Sequence, residues 1–240
     1  MKKEFSLDEY QQQAVEATNN VLLIAGAGAG KTFTITQKIN YLIDNNICKP
    51  KEILIISFTN KSVLDLQKKI KYNCSILTFH KLAIQILHDY NISFNLVNDT
   101  YLEYLTNEFF QSLNDQSLIK EILLYFKEYN YSKFLTTYKY QGFKKILITL
   151  LKIYKTNGCT KDDFKRIYPK NKFLSKFFYI IKTIYEKELN STNSYDFDDL
   201  IIKATTILDK YYRYKYSIVD EFQDTSTIRF NLINKLRVLN

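Results

Sequence analysis

Asp220 and Glu221 are adjacent carboxylates placed directly after Tyr216-Ser217-Ile218-Val219, a β-prone run whose apolar bias sets them at the end of a buried strand. Open α/β sheets carry their chemistry at the carboxyl ends of their strands. A carboxylate pair there can hold a divalent cation and orient or deprotonate a water, which hydrolysis of a nucleoside triphosphate requires. Asp220 suits the metal ligand and Glu221 the general base, with Gln223 spaced to sense the γ-phosphate. The alternative, a solvated acidic loop, fits poorly behind an apolar strand.

A second group, Ala25-Gly26-Ala27-Gly28-Ala29-Gly30-Lys31-Thr32, has the composition of a phosphate-binding turn. Glycines at 26, 28 and 30 let backbone N–H groups converge on phosphate oxygens where side chains would block the approach. Lys31 would neutralise the β and γ phosphates, Thr32 would give its hydroxyl to Mg²⁺, and the helix starting there adds its positive N-terminal dipole. The strict pattern has Gly at position 25, where this chain has Ala.

These residues need strands before them and helices after them. Three β-prone runs supply that: Val21 to Ala25 ahead of the glycines, Ile53 to Phe58 after the Lys49-Pro50 break, and Tyr216 to Val219. Each precedes a plausible helix, the pattern of βα units in a parallel sheet. From 99 to 190 the period changes to helical, with Phe173, Leu174, Phe177, Phe178, Ile180, Ile181, Ile184, Tyr185 and Leu189 forming an aromatic stripe expected to be core. Breaks are expected near Gly142, Asn157-Gly158 and Tyr168-Pro169. The expected organisation is a first α/β part over 1–98, a helical insertion over 99–190 and a second α/β part over 191–240.

Composition narrows the class. Hydrophobic residues make up 46% and charged ones 25%, and there are few Gly or Pro, so the chain should fold into a globular, helix-rich protein. Three scattered cysteines, Cys48, Cys74 and Cys159, argue against a disulfide framework or a zinc site. No apolar run approaches the ~18 residues of a membrane span, and the N-terminus lacks an apolar signal core, so a cytoplasmic, membrane-free protein is expected. The net charge is +9, and residues 119–187 hold sixteen Lys or Arg against five Asp or Glu, so the basicity belongs to one segment. Such a segment suits a polyanionic partner.

The phosphate turn and the Asp220-Glu221-Phe222-Gln223-Asp224-Thr225 segment together resemble motifs I and II of the UvrD/Rep-type superfamily 1 DNA helicases. Further segments resemble that family in the same order. Leu7-Asp8-Glu9-Tyr10-Gln11 is similar to its Q motif, which implies that Gln11 reads the adenine edge of ATP, or Gln12 if the register shifts by one. Ile55-Ile56-Ser57-Phe58-Thr59-Asn60-Lys61 resembles motif Ia, and Leu77-Thr78-Phe79-His80 resembles the T-F-H motif. The resemblance implies that Phe58, Thr59, Asn60, Thr78 and His80 touch single-stranded DNA; aromatic faces and hydroxyls at strand ends can do so without reading sequence. Tyr195-Asp196-Phe197-Asp198-Asp199-Leu200 resembles another family motif, in which Phe197 stacks on bases. Taken singly, Phe58 and Phe197 read more readily as core than as DNA contacts, and a lone His80 as structural; order and spacing carry the resemblance.

The resemblance implies a RecA-like P-loop parallel sheet (subdomain 1A, incomplete at its C-terminal side) with an inserted helical subdomain (1B), closest to the helicase IV branch. It implies an ATP- and Mg²⁺-dependent 3′-to-5′ translocase. The chain departs from the family where Asn240 precedes motif III and the second RecA-like domain, whose arginine finger contributes about 10³ to 10⁵ in rate in related phosphoryl transfers. None of Arg213, Arg229 or Arg237 has that context. The expectation is a fragment or one half of a split protein, completed by a second chain carrying the missing parts, that binds Mg-ATP and single-stranded DNA without unwinding alone. The competing expectation is a non-catalytic module that binds DNA or protein.

Overall fold

The computed structural model describes residues 6–26, 28–160, 162, 171–209 and 213–239. It is a mixed α/β protein with a parallel sheet. The order is a helix at Glu9–Glu16, a helix at Lys31–Asp44, β1 (Ile53–Ser57), a helix at Asn60–Lys69, β2 (Ser75–Thr78) and a helix at Phe79–Asp89. Then follow β3 (Asn95–Leu96), helices at Asp99–Gln111, Gln116–Phe126, Tyr131–Phe134, Tyr138–Thr156 and Lys172–Ser191, and β4 (Ser194–Tyr195). A helix at Phe197–Ile207, β5 (Tyr216–Val219) and a helix at Thr227–Leu239 complete the chain.

The main sheet has the order β2-β1-β5, all parallel. β1 lies in the middle and every one of its residues is buried, as expected for a strand covered on both faces. Alternation sends Ile53 and Ile55 into a cluster with Ile39 and Leu42 from the Lys31–Asp44 helix and Val63 and Leu66 from the Asn60–Lys69 helix. Leu54 and Ile56, equally buried, face the other way. The ladder with β5 continues beyond the strand, where the Asp220 amide donates to the Ile56 carbonyl at 2.9 Å.

Two expectations about these elements are corrected. Val21 to Ala25 is not a strand: it has no regular secondary structure, and Val21, Leu22 and Ile24 are exposed. β-branched composition favours a strand only when a neighbour accepts its backbone hydrogen bonds, and among the described residues this segment has no ladder partner. Conversely, β2 forms although Ser75-Ile76-Leu77-Thr78 is too short to stand out, because it pairs in register with Leu54 to Ser57.

The chain divides into two compact units, one from Met1–Gln85, Ile207–Thr225 and Ile233–Asn240, the other from Ile86–Thr206 and Ser226–Leu232. The second unit is helical and takes in more of the chain than the helix-period stretch. Its core is aromatic: Phe110, Phe134, Tyr140, Phe143, Phe177, Phe178 and Tyr185 are buried together, which places the predicted stripe where packing requires it. The ends of the helical stretch are joined by β3 and β4, with Asn95 paired to Ser194 and Leu96 to Tyr195.

Against the expectation of a break, Gly142 lies within the Tyr138–Thr156 helix. A mid-helix glycine costs about 1 kcal/mol, and burial of Tyr140, Phe143 and Leu147 on the same helix outweighs it. That helix does end at Asn157-Gly158, with Gly158 at φ +60°. Tyr168-Pro169 lies outside the described residues.

Candidate functional site

The turn before the Lys31–Asp44 helix requires its glycines at two places. Gly28 and Gly30 have φ of +76° and +80°, a region that side chains disfavour, and Gly30 is the N-cap of the helix. Ala27 lies outside the described residues. Ala25, Gly26 and Ala29 complete the turn, with the Ala29 amide donating to the Gly26 carbonyl at 3.3 Å. The N-terminus of a helix, with N–H groups that lack intrahelical acceptors, is a natural anion site.

Gln11 closes the turn from outside. Its Nε2 donates to the Ala29 carbonyl at 3.1 Å, and a Cβ added at Gly30 would lie 3.0 Å from that nitrogen. Its Oε1 accepts from the Asp8 amide, while the Asp8 carboxylate accepts from the Gln11 amide at 2.8 Å, a reciprocal capping box that starts the Glu9–Glu16 helix. Asp8 is the first member of an Asp-x-x-Gln box, a capping pattern legible in the sequence. Gln12 points elsewhere, bonding Glu16 on its own helix.

Lys31 and Glu221, 190 residues apart, meet: Nζ lies 3.1 Å from Glu221 Oε2. The glycine turn and the end of β5 are therefore brought together. Gln223 Nε2 also donates to Glu221 Oε2, at 2.5 Å. These two hydrogen bonds, Gln223 first and Lys31 second, hold the Glu221 carboxyl below its ordinary range. Glu221 itself has φ +50°, a strained conformation for a residue with a side chain, of the kind that concentrates at functional sites. Its neighbour behaves oppositely. Asp220 is half-buried, and burial, followed by repulsion from Glu221, pushes its carboxyl up. The buried Ser57 side chain on the adjoining strand opposes that rise only in part. Thr32, half-buried, occupies the first turn of the helix.

Because β1 and β2 are paired in register with Ser57 opposite Thr78, the residues after each strand emerge side by side. Phe58 meets Phe79 edge to face, with ring centroids 6.4 Å apart. Thr59 caps the Asn60–Lys69 helix by accepting from the Ser62 amide, and both Thr59 and Asn60 are exposed. Thr78 is buried and its hydroxyl accepts from the Lys81 amide, so it serves the start of its own helix. Phe58 and His80 are half-buried. Phe197, also half-buried, belongs to the helical unit and is the first residue of its helix.

Residues 7–238 match the family described as UvrD/REP helicase N-terminal domain. The chain belongs to this family. It is similar to DNA helicase II of Rickettsia typhi (31% identical over 92% of this chain and 34% of the relative). It is also similar to the ATP-dependent DNA helicase Rep of Buchnera aphidicola (28%, over 98% and 35%) and the ATP-dependent DNA helicase PcrA of Staphylococcus epidermidis (26%, over 96% and 31%). The chain spans about a third of the length of the curated relatives it matches. No helix among the described residues of this UvrD/REP N-terminal domain is long and apolar enough to cross a membrane.

Proposed function

We propose that this chain is the ATP-binding N-terminal part of a UvrD-like 3′-to-5′ DNA helicase or translocase. The observation that carries the proposal is the Lys31–Glu221 contact, which brings the glycine turn and the carboxylate pair together. Backbone N–H groups from Gly28 through Thr32 cradle the phosphates and Lys31 neutralises them. Gln11, already seated on the turn, reads the adenine. Glu221, at the strained position, is the general base, and Gln223 senses the γ-phosphate. Lys31 and Gln223 both bond Glu221, and phosphates that attract Lys31 would free the base.

The residues present fit Mg²⁺. Burial and the neighbouring Glu221 charge raise the Asp220 carboxyl, so a cation beside it would be favoured, and Mg²⁺ takes only one or two protein ligands, keeping phosphates and waters for the rest. Thr32 and Asp220 would hold the ion, which supplies charge neutralisation at the phosphates. Phe58, Thr59, Asn60, Thr78 and His80 form a strand-end surface for single-stranded DNA, and Phe197 of the helical unit separately offers a ring for base stacking. The basic 119–187 segment makes binding salt-sensitive.

Unwinding needs a second RecA-like domain, supplied by further polypeptide, so this chain alone binds ATP weakly and hydrolyses it slowly. A fluorescent ATP analogue should bind only with Mg²⁺ present, and Lys31→Ala should abolish the signal. Robust DNA-stimulated turnover by the purified monomer contradicts the proposal.

One observation favours a second reading, a module that docks another polypeptide without turnover. β5 is paired on one side only among the described residues, and the apolar Val21 to Ile24 segment is exposed. Unpaired edges of this kind accept a strand. Intact Mg-ATP binding with no hydrolysis under any DNA condition supports this reading over the first.

A further inference from the structure

The turn that carries Phe197 is held by an unusual number of charges. Lys155 Nζ lies 2.5 Å from Asp196 Oδ2 and 2.7 Å from Asp199 Oδ1, so one ammonium spans the residues on either side of Phe197 and its helix start. The Tyr185 hydroxyl donates to the same Asp196 oxygen at 2.8 Å, and Lys155 sits 5.1 Å from the Tyr185 ring centre. Asp198 is tied as well, accepting from the Thr156 hydroxyl at 2.8 Å, with Arg229 close enough to act on it electrostatically. Asp196 and Asp199 cap one another reciprocally, each accepting from the other's amide. Every acidic neighbour of Phe197 is thus fixed from the helices Tyr138–Thr156 or Lys172–Ser191, while Phe197 itself stays half-buried.

Stability alone explains this poorly. The reciprocal capping already starts the helix. A buried cluster of one ammonium and two carboxylates bears a desolvation cost that apolar side chains of similar volume would avoid, often with no loss of stability. What such a cluster does deliver is a single geometry.

We infer that Lys155 is a positioning residue: with Tyr185 and Thr156 it locks the Asp196–Asp199 turn so that the Phe197 ring is preset to stack on an unpaired base of single-stranded nucleic acid. The inference rests on the DNA reading above and deepens it. A preset ring loses no freedom on binding, so affinity and stacking geometry both depend on Lys155.

The test uses the full chain and an oligothymidylate carrying a single 2-aminopurine, whose fluorescence is quenched by stacking. Lys155→Met should weaken binding by about tenfold or more, the worth of one stacked base, and should leave the probe unquenched even at saturation, as should Phe197→Ala. Lys155→Arg, which keeps the charge, should restore the quench, and affinity for an Mg-ATP analogue should not change in either. Should Lys155→Met fail to fold, Tyr185→Phe removes one hydrogen bond while keeping the ring, and a partial loss of quench is expected. Wild-type affinity and quench in whichever of these two variants folds overturn the positioning role alone. Failure of the wild-type chain to bind the oligonucleotide overturns the DNA reading and this inference with it.

Discussion

Two lysine–carboxylate contacts, one in each compact unit, serve opposite purposes. Lys31 and Glu221 leave about a third of each side chain exposed (30% and 37%) and share a single contact. Lys155, Asp196 and Asp199 are 11%, 15% and 25% exposed, and Tyr185 and two backbone amides complete their hydrogen bonding. A sparse, solvated pair is easily exchanged for another anion, whereas a buried and satisfied network is not. The α/β unit keeps its charges available, and the helical unit spends its charges on fixing a turn.

The comparison breaks most visibly at Lys155. Lys155→Met strands two buried carboxylates and should cost about 3–5 kcal/mol in denaturant unfolding. In the wild type, burial raises Asp199 to about 6, while Lys155 and the hydrogen bonds hold Asp196 below its ordinary range despite its burial. Without Lys155 the folded pair binds protons above the unfolded value of about 4, so stability falls as pH rises through that window. The loss should therefore be larger at pH 8 than at pH 5; a pH-independent loss contradicts the network.

Lys31→Ala should behave in the opposite way. Its unfolding free energy should stay within about 1 kcal/mol of wild type. Nucleotide affinity should fall by about tenfold to hundredfold, the value of a charge-assisted contact to phosphate. A large stability loss would mean that Lys31 is structural, like Lys155.

The glycines sharpen the contrast at smaller scale. Gly30→Ala forces a side chain into a φ of +80° against Gln11 and should destabilise by about 1–2 kcal/mol, with nucleotide binding impaired. Gly142→Ala meets nothing within 4 Å on an exposed helix face and should stabilise by about 0.5–1 kcal/mol, with nucleotide binding unchanged, by thermal unfolding.

Legibility in the sequence followed the range of the interactions. The glycine turn and the Asp220-Glu221 pair are local patterns, so types and spacing were enough to set the one before its helix and the other after β5, and the aromatic stripe of Phe173 to Leu189 announced its buried face by periodicity. Val21 to Ala25 misled because strand formation depends on a distant partner, and β2 escaped because four residues carry little pattern. Gly142 misled because a local cost was outweighed by burial elsewhere on its helix. Lys155 gave no signal at all: its partner Asp196 is 41 residues away, and one lysine in a lysine-rich segment resembles any other.

The central claim is that the Lys31–Glu221 site takes a nucleoside triphosphate with Mg²⁺. Calorimetric titration of the wild-type chain and of Lys31→Ala with a non-hydrolysable ATP analogue, in Mg²⁺ and in EDTA, tests it most directly. Saturable one-site binding by wild type in Mg²⁺, lost in EDTA and in Lys31→Ala, is the predicted result; no binding by wild type, or equal binding by the variant, contradicts it.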